Sequence, residues 1–132
     1  VSPELTHCAP ILPVRDVRAA LEHYAALGFT TRVWTDGEGY GFADRDGVAL
    51  HLGLHLEHHH DEGEEHDHVH PPFAPVSIYI YVDDPDGLVE EWSRPGLGGE
   101  THPAEDTPWQ MREGVHIDPD GNAIRFGRSL SE

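Results

Sequence analysis

Apolar positions along the chain switch between a period of two and a spacing of three and four, and the order of the switches occurs twice. Ala9 to Val14 is a short apolar run ending at Arg15-Asp16, after which Val17, Ala20, Leu21, Tyr24 and Leu27 recur at helical spacing before Gly28. This predicts a strand, a helix capped by Asp16 and a glycine stop. Three strand candidates follow, Thr30 to Thr35, Gly39 to Ala43 and Val48 to Leu54, separated by Asp36-Gly37 and Asp46-Gly47, both hairpin-turn dipeptides. The first half therefore reads βαβββ.

The second half repeats that order. Val76 to Val82 alternates and is rich in β-branched and aromatic residues, and Asp83-Asp84-Pro85 opens a helix carrying Leu88, Val89 and Trp92. Glycines at 96, 98 and 99 break it. A weak strand near Glu100 to His102 leads through a Pro-rich loop to Arg112 to Ile117, the turn Asp118-Pro119-Asp120-Gly121, and Ala123 to Gly127. The expected class is α+β: one domain of two tandem βαβββ modules, residues 5–55 and 76–128, joined by a linker over 56–75.

The linker is compositionally separate. It carries six acids, and eight of the twelve histidines fall between His51 and His70. Charge this dense buries too little apolar surface to order itself, so a solvated linker is expected, although His58, His59, His60, His66, His68 and His70 are also a transition-metal ligand supply.

Charge narrows the partners. The formal balance of −17, from 25 acidic against 8 basic side chains, repels phosphate backbones and anionic membranes and draws in cations. Neither nucleic acid nor membrane is an expected partner. No run is long enough to span a bilayer and no signal-peptide pattern opens the sequence, so a cytoplasmic location is expected. The single cysteine, Cys8, forms no internal disulfide and reads as a buried residue of the first strand.

Two segments carry a family resemblance. PILPVRDVRAALEHYAALGF resembles the opening of the vicinal oxygen chelate superfamily, which includes glyoxalase I, extradiol dioxygenases and bleomycin resistance proteins; DTPWQMREGVHIDPDGNAIRFG is similar to a pattern frequent in the bleomycin-resistance branch. Gln110 stands where a glycine is common and Gly114 where a phenylalanine is usual, two departures in what the resemblance implies is the pocket wall. The resemblance implies a cup-shaped mixed sheet with helices on its outer face, holding either a metal or a ligand, in a homodimer whose cavities are shared between chains.

Four positions decide between metal and ligand. The metal-ligand positions implied by the resemblance fall at Ala9, His51, Ser77 and Arg125, of which only His51 is an ordinary ligand, and a fixed guanidinium at 125 repels a cation. An offset site from His7, His51 and His55 is the remaining metal alternative within the cup, and no cofactor is expected. If Ser77 points inward, so do Tyr79 and Tyr81, leaving Ile78, Ile80 and Val82 for the helix side. The resemblance adds Tyr40, Trp109 and Trp34 as ligand contacts, with Gln110 and Glu113 from the matched segment; Trp92 is expected to be structural. Aromatic walls in a negative field suit an aromatic and/or cationic natural product. The leading expectation is thus sequestration of an antibiotic-like small molecule without catalysis. A metal-dependent lyase, isomerase or dioxygenase and a metal-binding protein acting through the histidine-rich linker are the alternatives.

Overall fold

A computed structural model describes residues 2–34, 39–55 and 73–131. Each half builds one four-stranded mixed sheet with one helix. Module one contains β1 (Ile11–Val14), α1 (Val17–Ala26), β2 (Thr30–Val33), β3 (Tyr40–Arg45) and β4 (Val48–Leu54). Module two contains β5 (Ser77–Tyr81), α2 (Pro85–Trp92), β6 (Glu100–Asp106), β7 (Met111–Ile117) and β8 (Ala123–Ser129). The strand orders are β1-β4-β3-β2 and β5-β8-β7-β6, with β1/β4 and β5/β8 parallel and the other pairs antiparallel. The two halves share one topology.

Local chemistry sets the elements. Asp16 caps α1, its carboxylate accepting from the Ala19 amide at 3.1 Å, and Gly28 follows the helix at φ +93°, a left-handed conformation that glycine adopts without strain. Asp84 caps α2 in the same way through Gly87, with Pro85 in its first turn. Between β3 and β4, Asp46 and Gly47 both have positive φ, as a two-residue hairpin turn requires.

Burial follows the alternation. Leu12, Val14, Leu50, Leu52 and Ala43 face α1, which contributes Val17, Ala20, Leu21 and Tyr24 to the core. Gly41 lies where a Cβ would stand 2.9 Å from Leu21, so the helix packs close to β3. On the second sheet Ile124 and Phe126 are fully buried, with Trp92 of α2 against Phe126.

Three sequence expectations are corrected. The first strand starts at Ile11 rather than Ala9, so Cys8 is exposed ahead of it instead of buried within it, and His7 is likewise exposed outside the strand. β6 extends to Asp106 through Pro103, because a register shift between His102 and Glu105 takes the proline out of regular pairing. Gly114 lies on the helix side of β7 and not in the wall of the open face: it is buried against Phe126, whose ring occupies the space a side chain there would need. Asp36-Gly37 and His58, His59, His60, His66, His68 and His70 lie outside the described residues.

Candidate functional site

The face of each sheet turned away from its helix carries the chemistry. On module one, Phe42 pairs with His51 and Tyr40 with Gly53, placing Tyr40, Phe42 and His51 on one face. The Tyr40 hydroxyl lies 2.8 Å from His51 Nδ1, Phe42 packs edge-on to the same imidazole, and the Arg32 guanidinium lies 4.1 Å from the Phe42 ring centroid. Arg32, Phe42, Asp44 and His51 line a depression of about 340 Å³, with Tyr40 outside it. Trp34 continues this face beyond β2, its amide donating to Tyr40 O at 2.9 Å and its side chain half exposed.

On module two, the pairs Tyr79–Arg125, Tyr81–Gly127 and Gly127–Glu113 put Tyr79, Tyr81, Arg125 and Glu113 on one face with Ser77. Trp109 stands in the turn before β7, 65 % exposed, its Nε1–H donating to Glu113 Oε2 at 3.3 Å. Tyr79 and Tyr81 are neighbours, ring centroids 5.0 Å apart, and Tyr81 is 77 % exposed. Desolvation, then its hydrogen bond to Glu113, pushes the Tyr79 phenol above its ordinary range, so it remains a neutral donor. Gln110 sits in the same turn at φ +67°, a left-handed backbone that gives a physical reason for glycine at this point.

The structure groups these predicted residues into two sets, one per sheet, rather than one. No hydrogen bond, ion pair or ring contact joins Trp34, Tyr40 and His51 to Tyr79, Tyr81, Trp109, Gln110 and Glu113 among the described residues. The depression on module one contains none of the second set. The crevice between modules, about 300 Å³ with an apolar floor including Phe29, Ile80 and Trp92, takes in only Tyr81 of either.

The four positions implied for a metal do not supply a ligand set. His51 has one ring nitrogen held by Tyr40, Ser77 and Arg125 are exposed on the other module, and Ala9 has no donor side chain. His7 hydrogen-bonds with Thr6 and the His55 ring packs against Phe73. Among the described residues no three His, Cys, Asp or Glu side chains come together as a metal site.

Sequence reasoning missed a buried polar clasp between the modules. His23 of α1 and His116 of β7 meet Nε2 to Nε2 at 2.8 Å, and the Tyr24 hydroxyl donates to Asp118 at 2.7 Å. Asp118 also accepts from the Asp120 and Asn122 amides, while Asn122 Nδ2 reaches Pro13 O at 2.9 Å. Thus Asp-Pro-Asp-Gly-Asn ties the halves together. Beside it, Trp92 Nε1 and Arg45 both donate to Leu27 O, and Arg45 pairs with Glu91. Burial, reinforced by His23, pushes His116 down to about 4; burial also lowers His23, against the pull of Asp118. The available signal was His116 at a core-facing position of an alternating strand.

Comparison with known proteins agrees with this architecture. The bleomycin resistance determinant encoded on transposon Tn5 superposes with a TM-score of 0.70 at 20% identity, over 95% of this chain and 98% of that one. The bleomycin-binding protein from bleomycin-producing Streptomyces verticillus, complexed with copper(II)-bleomycin, gives 0.67 at 25% identity, over 95% and 97%. Lactoylglutathione lyase from Agrobacterium tumefaciens gives 0.69 at 17% identity, over 98% of each chain. No curated protein matches the sequence, and no helix among the described residues is long and apolar enough to cross a membrane. The family model of the glyoxalase/bleomycin resistance protein/dioxygenase superfamily matches residues 4–126, and the chain belongs to that superfamily.

Proposed function

We propose that the protein binds a bleomycin-like or other polycyclic aromatic natural product and releases it unchanged, conferring resistance by sequestration in the cytoplasm. The observation that carries this reading is the exposure of Trp109, Tyr81 and Trp34 on sheet faces whose metal-ligand positions lack a donor set. Large exposed aromatic side chains favour a planar guest. Because the two sets of contacts lie on separate faces of one chain, the complete cavity belongs to a symmetric homodimer, Tyr40 and Trp34 coming from one copy and Trp109 and Tyr79 from the other. Trp34, Tyr40, His51, Tyr79, Tyr81, Trp109, Gln110 and Glu113 remain its proposed contacts.

Complementation tests both parts. Tyr40→Ala and Trp109→Ala proteins are titrated singly with bleomycin, then after mixing and exchange of subunits. A shared cavity predicts weak binding by each alone and recovery on mixing, since every heterodimer regenerates one intact cavity. No recovery, or a monomer by sedimentation, contradicts the shared cavity; no binding by the unmutated protein contradicts sequestration.

A further inference from the structure

The cross-strand register on module two bears on the ligand's charge. Glu113 lies directly opposite Glu105 on β6, so two carboxylates share the open face that carries Tyr79 and Tyr81. Like charges directly opposite on neighbouring strands are destabilising. On the helix-facing side, by contrast, Arg112 is gripped by Asp86 and Asp106. Neither Glu105 nor Glu113 forms an ion pair among the described residues, and Arg125, one pair further along the same face, joins neither.

What Glu113 does hold is two aromatic walls. It accepts from Trp109 Nε1 at 3.3 Å and hydrogen-bonds with the Tyr79 hydroxyl. Gly127 makes that convergence possible, because a Cβ there would overlap the Tyr79 hydroxyl and stand 3.1 Å from Glu113 Cγ. A flat group resting on these rings therefore sits beside an unneutralised negative charge.

Building on the sequestration reading above, we infer that Glu113 is the specificity-determining residue of this face: it orients Trp109 and Tyr79 while its charge, seconded by Glu105, selects ligands whose flat group is cationic. Ring faces attract a cation through their quadrupole, and the carboxylate adds a directional charge that a neutral flat group does not use.

Two probes of nearly equal shape isolate the charge: N-methylacridinium, a fixed planar cation, and acridine, kept neutral at mildly alkaline pH. Binding is followed by fluorescence anisotropy. The unmutated protein should bind the cation about tenfold more tightly. Glu113→Gln retains an acceptor for Trp109 and should bring the two dyes within about twofold, weakening the cation more than acridine. Glu105→Gln, at an exposed position, should narrow the ratio partly, and Trp109→Ala should weaken both dyes. Equal binding of the two dyes by the unmutated protein overturns the inference while leaving the sequestration reading standing. A ratio that survives Glu113→Gln in protein with unchanged thermal midpoint overturns it as well. Failure of both dyes and of bleomycin to bind overturns the inference and the sequestration reading together.

Discussion

Acidification should loosen the protein at the seam between its modules, and the buried histidine pair gives the size of the effect. An unfolded histidine titrates near pH 6.5, whereas burial and the neighbouring His23 push His116 down to about 4. Between those two values the unfolded chain binds more protons than the folded one, so stability is complete above about pH 6.5 and declines as pH falls toward about 4. At about pH 5 the unfolded imidazole is already protonated and the folded one is not, which costs about 2 kcal/mol relative to about pH 7 for His116 alone. His23, also lowered by burial, adds in the same direction. Urea unfolding at the two pH values measures this, and His116→Gln isolates it, because the variant loses the titrating group although it also disturbs the contact to Thr101. The variant should start less stable at pH 7 and lose about 2 kcal/mol less than the parent on acidification. Equal losses in both proteins would refute the reasoning.

Three further outcomes follow from packing and site geometry. Trp109→Ala should weaken binding of a planar natural product by about 1 to 3 kcal/mol, measured by calorimetry, if its exposed ring is a stacking anchor. Gly114→Ala should destabilise by about 1 to 3 kcal/mol in chemical denaturation, since the new Cβ would stand 2.7 Å from Phe126 Cε2 and 3.0 Å from Val89. Gln110→Gly should stabilise slightly, by up to about 1 kcal/mol in chemical denaturation, because it removes the left-handed strain at φ +67° at some cost in chain entropy.

The repeated βαβββ order was readable because each module changes hydrophobic period where its structure changes, and Asp16, Gly28, Asp46-Gly47 and Asp84-Pro85 mark the ends. The same alternation puts Ile124 and Phe126 on the helix-packed side and Tyr79 and Tyr81 on the opposite face. Proline misled at β6: composition around Pro103 reads as loop, yet the irregular pairing between His102 and Glu105 accommodates a residue without an amide hydrogen. At β1 the apolar run overstates the strand, which left Cys8 exposed where burial was expected. Beyond His116 at a core-facing position of β7, no local pattern announced the clasp. Tyr24 and Asp118 are 94 residues apart and Asn122 and Pro13 109, so their meeting depends on how the modules dock. Docking likewise separates the two halves of the candidate site, which the family resemblance assigns to one cup.

Calorimetric titration of chelator-treated protein with bleomycin, followed by mass analysis of the recovered ligand, bears most directly on sequestration. The account predicts saturable binding, the same affinity before and after metal is returned, and a ligand of unchanged mass. A product of altered mass formed only with metal and lost in His51→Ala would contradict it and make the protein an enzyme.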